Sequence, residues 1–371
     1  MIKKVLITGG AGFIGSHLAD ELINNGYEVR ALDNLNEQVH GPNAERPDYL
    51  HPDVELIIGD VRDKTTVIHA LDGVDAVFHL AALVGVGQSM YQIEEYTDVN
   101  NVGTAVLLEA LIDHPVKKLV VASSMSIYGE GLYKNAAGNF IHECDRKLED
   151  LRQQKWNIYD ASGYDFTPIP TPEYKKPNLS SVYALSKYDQ ERLCLVAGKA
   201  YNIPTTALRF FNVYGTRQAL SNPYTGVLAI FSSRLLNNNP PMVFEDGLQK
   251  RDFVHVKDVT RACRLALESS EANGEVINVG SGNQYTIQEI AQKIAGVMGK
   301  DIAPEMNGKY RVGDIRHCFA DLTKARTLLG FEPQIDFEEG LAELALWLED
   351  QIAVDSVNKA TEELASRGLT V

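Results

Sequence analysis

The stretch Thr8-Gly9-Gly10-Ala11-Gly12-Phe13-Ile14-Gly15 leaves an apolar run, Ile2 to Ile7, and opens a segment with helical spacing. Its glycines sit at 9, 12 and 15. A strand that turns through such a loop into a helix is built to hold a dinucleotide. Gly9 permits the tight turn, Gly12 lets backbone approach a pyrophosphate, and Gly15 lets the helix pack close to the sheet. The helix start adds free N–H groups and the positive dipole end. Asp33 closes the next expected strand, Tyr27 to Leu32. A carboxylate there accepts hydrogen bonds from a ribose 2′-OH. It would repel a 2′-phosphate, so NAD is expected rather than NADP. Arg30 comes too early in the strand to serve a phosphate, and Asn34 is neutral. The competing reading is a plain glycine turn without a ligand.

Outward from this loop, strands and helices alternate. Strands are expected at Ile2–Thr8, Tyr27–Asp33, Val54–Asp60, Ala76–Leu80 and Lys118–Ser123. Helices are expected at Ser16–Asn25, Asp63–Leu71 and Val99–Ile112. Strands joined by helices imply a doubly wound parallel sheet of the Rossmann type, with its ligand at the carboxyl ends of the strands. The pattern breaks over 131–176, a polar stretch with Trp156 and Pro168, Pro170 and Pro172. It reads as an inserted surface segment, either a lid or a tolerated insertion. Periodicity returns with a helix at Val182–Ala200 and a strand at Thr205–Asn212. Further helices are expected at Leu228–Asn237, Lys257–Glu268, Ile287–Met298 and Phe337–Gln351. The expected organisation is 1–212 for NAD, 213–352 mainly a smaller substrate-binding lobe with segments returning to the core, and 353–371 a polar tail that frays.

Length and charge bound the function. At 371 residues the chain has room for two domains, or for one large α/β domain with a lobe. A net charge of −15 disfavours nucleic acid or an acidic membrane as partner. The first residues are needed as a strand, so no signal peptide is expected, and no apolar run approaches the roughly 20 residues of a membrane span. Cys144, Cys194, Cys263 and Cys318 lack metal-like spacing and read as reduced thiols of a cytoplasmic protein. His142-Glu143-Cys144 resembles a metal cluster but has no partner motif, so no metal is expected. His17 reads as a dipole or packing residue and His79 as core. Asn178-Leu179-Ser180 fits a glycosylation acceptor only in a secreted chain.

Tyr183-Ala184-Leu185-Ser186-Lys187 puts a phenol and an ammonium four apart, on one helix face. An ammonium beside a phenol favours the phenolate, as does an oxidised nicotinamide. A tyrosine with an ordinary pKa of about 10 then serves as a base near neutrality.

Taken with the blocks GDVRD at 59–63, HLAA at 79–82, NNVGT at 100–104, ASSMSIYG at 122–129, RFFNVYG at 209–215, RDFVHVKDV at 251–259, NVGSG at 278–282 and RVGDIRHCFAD at 311–321, the chain resembles the extended short-chain dehydrogenases/reductases. It is most similar to their nucleotide-sugar epimerase/dehydratase branch. The resemblance implies that Gly9, Gly12, Phe13, Ile14 and Gly15 hold the pyrophosphate. Asp33 would serve the adenosine ribose, Asp60 and Val61 the adenine, and Asn34 would also contact the cofactor. Leu80, Ala81, Ala82, Asn100, Ser123 and Phe210 would place the remainder of the cofactor. Ser124, Tyr183 and Lys187 would be catalytic, with Lys187 also on the nicotinamide ribose. Ser126, Asn212, Arg251, Arg311 and Asp314 would join Ser124 and Tyr183 in holding a nucleoside-diphosphate sugar. Two arginines suit a diphosphate chemically. Alternatively, Arg251 is an exposed loop charge and Arg311 pairs with Asp314. The helices Val99–Ile112 and Val182–Ala200 match those that pair two subunits in this family, which implies a homodimer. Their apolar positions Leu107, Leu111, Leu193 and Val196 could instead serve the sheet.

Met125 and Ser126 follow Ser124, where dehydratases of the family carry Asp and Glu and decarboxylating members carry a Glu at the second position. Neither residue here titrates usefully. The resemblance therefore implies hydride removal and return at C4, an isomerase of the EC 5.1.3 type. The insert at 131–176 and the blocks at 122–131 and 183–194 resemble the members acting on dTDP-L-rhamnose; glucose/galactose and uronic-acid forms stay open. The alternatives are a net NAD-dependent dehydrogenase/reductase on the same substrates, a 4,6-dehydratase or decarboxylase, and a non-catalytic NAD-binding protein.

Overall fold

The computed structural model describes residues 1–370. Seven strands form its central sheet: β1 (Lys4–Thr8), β2 (Glu28–Asp33), β3 (Glu55–Ile58), β4 (Ala76–His79), β5 (Lys118–Ser124), β6 (Thr205–Phe210) and β7 (Val276–Val279). Their order is β3-β2-β1-β4-β5-β6-β7, and every pairing is parallel. β1 is central and covered on both faces, so Val5, Leu6 and Ile7 form a continuous apolar run and not an alternating one. The strand order reverses between β1 and β4. The carboxyl ends there open a crevice for a ligand.

Two apolar layers sandwich the sheet. On one face, helix α1 (Phe13–Asn24) packs Leu18 and Leu22 with Val259 and Cys263 of a later helix, Val256–Glu268. On the other face lie Val67 and Leu71 of Lys64–Leu71, Leu107 and Leu111 of Gly103–Asp113, and Cys194 of Val182–Tyr201. Leu107 and Leu111 therefore serve the sheet. A second core, with Phe231, Leu235, Ile290, Ile294, Leu341 and Leu344, joins the helices Val227–Leu236, Ile287–Val297 and Phe337–Leu348. Between the two, Met125, Tyr128, Phe211 and Ile315 form a small apolar seam.

The structure departs from the sequence reading in four places. The expected helix Val99–Ile112 begins as a π-helical turn, Thr97–Val102, before the α-helix Gly103–Asp113. The expected strand Thr205–Asn212 breaks at Phe211, whose N–H still reaches Val279; Asn212–Tyr214 then leaves the sheet to pair with Phe253–His255. The segment 131–176 is more than a surface insertion. Strands Leu132–Lys134, Phe140–Ile141 and Thr167–Ile169 form a small sheet, and Tyr133, Cys144 and Ile158 make a core of their own. The tail is the largest correction. Residues Val357–Ser366 form an ordered helix with Ala360 and Leu364 buried. These apolar positions are four apart within a polar sequence, so they make one buried stripe on an otherwise wet helix.

Candidate active site

A cavity of about 620 Å³ runs along the carboxyl ends of the strands. Its first wall is the glycine loop. Gly9 has φ +71°, the left-handed turn that glycine supplies freely. A Cβ on Gly15 would lie 2.2 Å from the Gly9 carbonyl oxygen, so this residue must be glycine for helix and loop to meet. A Cβ on Gly12 would meet nothing nearer than that oxygen at 3.4 Å. Gly10 was not singled out in the sequence, yet its Cβ would come within 2.6 Å of Ala31. No side chain caps α1, and its first turn holds no acid. The loop therefore offers uncapped N–H groups and close access for a pyrophosphate.

Asp33 lines the cavity and braces the loop. One carboxylate oxygen accepts the Ala11 N–H at 3.0 Å and the other the Leu35 N–H at 3.0 Å. His40 lies 3.7 Å from it, a cavity residue that sequence reasoning missed. Asn34 donates to Asp60, and Arg62 grips Asp60 with two bonds, which hold that carboxyl down at about 2. Arg30 points away to Glu55 and to the Ala70 and Asp72 carbonyls. Val61, Leu80, Ala81, Ala82, Ser123 and Phe210 also line the cavity. Asn100 does not. It is fully buried behind the wall, bonded to both the N–H and the carbonyl of Leu83, and so fixes the segment that does face the cavity.

Ser124, Ser126, Tyr183 and Lys187 meet in the middle. Ser124 ends β5, and its hydroxyl oxygen accepts from Ser126 N–H at 3.2 Å and from Ser126 Oγ at 2.9 Å. Ser181 caps the helix that carries Tyr183 and Lys187. Burial pushes the Tyr183 phenol up, and its hydrogen bond with Ser124 pulls it back. Lys187, one helical turn on, does not hydrogen-bond the phenol. Lys187 instead donates to Gln190 Oε1 at 2.6 Å, and desolvation brings its ammonium down to about 8. Gln190 continues through Thr104 to His79 and Thr8. His79 is neutral, pushed down to about 3 by burial. This chain of polar side chains was invisible in the sequence because its members come from four separate elements.

The far wall gathers Asn212, Arg251, Arg311 and Asp314. Arg251 is held by the carbonyls of Lys250 and Arg316 at 3.0 Å each, and by that of Ile315. Arg311 grips Asp314 at 2.8 Å and lies over the Phe244 ring. Both arginines line the cavity, so Arg251 is not an exposed loop charge. Buried amide oxygens of Asn212, Gln218 and Gln249, all cavity residues, have no hydrogen-bond partner among the described residues. Val357, Ala360, Thr361 and Leu364 of the C-terminal helix complete the wall. Arg146 of the inserted segment reaches Glu245 at 2.6 Å and the Asp314 carbonyl at 2.7 Å, which holds the loop that carries Arg311. Arg316 shares Glu245 with it. Among the described residues, no group of three or more His, Cys, Asp or Glu is placed to hold a metal, and no helix is long and apolar enough to cross a membrane.

A glycine-rich dinucleotide loop opposite a Ser–Tyr–Lys set defines a hydride-transferring enzyme on a Rossmann sheet. The chain belongs to the NAD dependent epimerase/dehydratase family, whose model matches residues 5–280. NAD is therefore its cofactor, and the uncapped loop fits it. The chain is 34% identical to a dTDP-L-rhamnose 4-epimerase of Burkholderia thailandensis, over 94% of this chain and 96% of that protein. The solved UDP-glucose 4-epimerase of Thermotoga maritima with UDP-glucose matches with a TM-score of 0.75 at 31% identity, over 93% of this chain and 98% of that one. The UDP-glucose 4-epimerase of Thermus thermophilus in complex with NAD gives 0.74 at 31%, over 94% and 100%.

Proposed function

We propose that the protein is an NAD-dependent 4-epimerase of a nucleoside-diphosphate hexose or deoxyhexose, with dTDP-L-rhamnose the first candidate. The observation that carries this reading is the set of groups at Ser124. Tyr183 is the base at hand, while Met125 and Ser126 stand where elimination or decarboxylation needs an acid. The other carboxylates of the cavity are engaged elsewhere or exposed: Asp33 and Asp60 near the glycine loop, Asp314 on Arg311, and Glu95 at the surface.

In this reading residues 1–212 chiefly hold NAD and residues 213–352 chiefly the sugar nucleotide. Gly9, Gly12, Phe13, Ile14 and Gly15 cradle the pyrophosphate, and Asp33 takes the ribose. Bound NAD supplies a hydride acceptor that becomes the donor for the return. Tyr183 takes the proton of the C4 hydroxyl and later gives it back. Ser124 donates to the C4 oxygen and holds it in line with the phenol. Lys187 favours the phenolate by its charge and would hold the nicotinamide ribose. The 4-keto sugar turns over and accepts hydride on its other face. Arg251 and Arg311 anchor the diphosphate throughout, so the sugar turns without leaving. The free buried cysteines support a cytoplasmic setting.

We also propose a homodimer. Val102, Leu185, Leu193 and Val196 are exposed on adjoining helices, an apolar patch that the described residues leave uncovered. A monomeric mass by light scattering at micromolar concentration would refute it. The test of the activity is incubation with a panel of NDP-sugars and no added cofactor, followed by NMR. C4 inversion without net NADH supports the reading. Stoichiometric NADH release would make the enzyme a dehydrogenase.

A further inference from the structure

Residues 354–370 cross the cavity from one wall to the other. On the lobe side, Asp355 and Asn358 take the Arg234 guanidinium, and Thr361 Oγ1 lies 3.9 Å from the Met242 sulfur. After the helix, the Leu369 carbonyl accepts the Val312 N–H at 2.9 Å, and Thr370 bridges Arg311. On the Rossmann side, the Arg367 guanidinium lies over the Tyr91 ring, 4.3 Å from its centroid. Leu364 packs where a Cβ on Gly87 would meet it at 3.3 Å. A fraying tail would hold none of these anchors.

The face turned to the cavity is chemically plain. Val357, Ala360 and Leu364 offer carbon, and Thr361 one hydroxyl. Across from them stand Met242 and Phe244, the latter under Arg311. Such a slot suits a flat, weakly polar group next to the two arginines and does not suit phosphate.

We propose that the C-terminal helix is the roof of the nucleoside subsite and a specificity-determining element of this enzyme. It encloses the pyrimidine and ribose of the sugar nucleotide against Met242 and Phe244, while Arg251 and Arg311 take the diphosphate. This inference rests on the NDP-sugar reading above. The segment that follows the helix bridges Arg311 at Thr370, so nucleoside enclosure and diphosphate grip are mechanically joined.

The test uses the full-length, NAD-loaded enzyme and three variants. Ala360→Trp fills the slot from the roof, Ala360→Ser barely changes it, and Leu364→Ala opens it. Calorimetric titrations with dTDP and UDP give affinities, and the absorbance of NAD released on denaturation gives the cofactor content. Ala360→Trp is expected to weaken both nucleotides about tenfold or more, in line with the cost of overpacking. Ala360→Ser should bind like the native enzyme, Leu364→Ala should lie between, and NAD content should stay full in all three. Equal nucleotide affinity in the native enzyme and Ala360→Trp would overturn the roof alone. A native enzyme that binds neither nucleotide would overturn the NDP-sugar reading and the roof with it. Loss of NAD together with nucleotide in Leu364→Ala would assign the helix to general folding and overturn the inference too.

Discussion

The two walls of the cavity are built in opposite ways. The Rossmann wall is made of backbone and small side chains: Gly9, Gly12, Ala81, Ala82 and Ser124 sit at the ends of adjacent parallel strands. The far wall is made of long charged side chains from distant segments: Arg251, Arg311 and, behind them, Arg146 and Arg316. The first is fixed by strand register and, at Gly15, tolerates no extra atom, as the 2.2 Å approach there shows. The second is fixed by ion pairs taken out of water. Burial pushes the Glu245 carboxyl up, and Arg146 pulls it down, so the network keeps its charge only while complete. A wall of backbone holds a constant ligand, the cofactor. A wall of wired side chains can be re-cut for different sugars and bases.

The strongest attempt to break this comparison removes chemistry from the first wall without altering its shape. Tyr183→Phe deletes the phenol oxygen that meets Ser124 and leaves the ring. Turnover should fall by about 10²–10⁴, the usual worth of general acid–base help. NAD content after gel filtration should not change. Retention of more than about a tenth of the activity would move the proton to another group.

The second attempt acts on the far wall. Arg251→Ala and Arg311→Ala should each weaken nucleoside diphosphate by roughly 1.5–3 kcal/mol, about tenfold or more, with NAD content intact. The two are not equivalent. Arg311 leaves Asp314 without its partner, whereas Arg251 leaves the carbonyls of Lys250, Ile315 and Arg316 unbonded. Arg311→Ala should therefore place an uncompensated negative charge near the diphosphate and cost more. Titration with the bare nucleoside diphosphate measures both. Equal affinities in all three proteins would make these arginines structural.

The same contrast explains what could be read from the chain. The Rossmann wall was legible because each part is local: a glycine loop within eight residues, and Tyr183 and Lys187 one helical turn apart. Alternation of strands and helices then dictated the parallel sheet. The far wall was not legible in this way. Arg251 and Arg311 were reached by resemblance, and nothing in spacing alone brings them to the same cavity. The insertion looked like surface because its polar residues are frequent. Its Arg146 instead pairs with buried Glu130 and Glu245, and its Asn157 accepts from Arg316. The tail looked loose because its helix has only one narrow apolar stripe, Val357, Ala360 and Leu364. Such a stripe acquires meaning once a cavity lies under it. The relation of Lys187 to Tyr183 is the opposite case: the spacing was right, yet Gln190 claims the ammonium in this structure.

A third measurement sharpens the comparison on the cofactor side. Lys187 sits at about 8, below the ordinary lysine range, because burial disfavours its charge. Its ammonium is present below that value and is lost as pH rises through it. If the charge on Lys187 favours the Tyr183 phenolate, kcat/KM should fall above pH 8, by up to about tenfold per unit. Nucleoside diphosphate affinity should not follow, since arginines keep their charge there. A flat rate profile from pH 7 to 10 would remove Lys187 from the proton chemistry.

The smallest expected effect concerns stability, and both walls share in it. His79 lies under the cofactor wall and is pushed down to about 3 by burial; His17, on α1, is pushed down to about 4 for the same leading reason. His317 lies behind the far wall and is pushed down to about 2, by burial first and then by Arg316. Each is neutral when folded, whereas an unfolded histidine gains a proton near 6.5. Their contribution is thus complete above pH 6.5 and is lost as pH falls, with each folded ring resisting protonation until its own lower value. The unfolded chain binds more protons over this window, so unfolding free energy should drop by at most about 1.4 kcal/mol per pH unit for each such ring. Asp60, held at about 2, stays ionised from pH 6.5 to 4.5 and adds little to that slope. Urea unfolding at several pH values reads the slope directly. His79→Gln and His317→Gln should each make it shallower by the share of one proton, whatever they do to stability at pH 7. If the His79 change alone leaves the slope untouched, that ring is already charged in the folded protein. The polar chain from Thr8 to Lys187 would then have to run with a different set of donors.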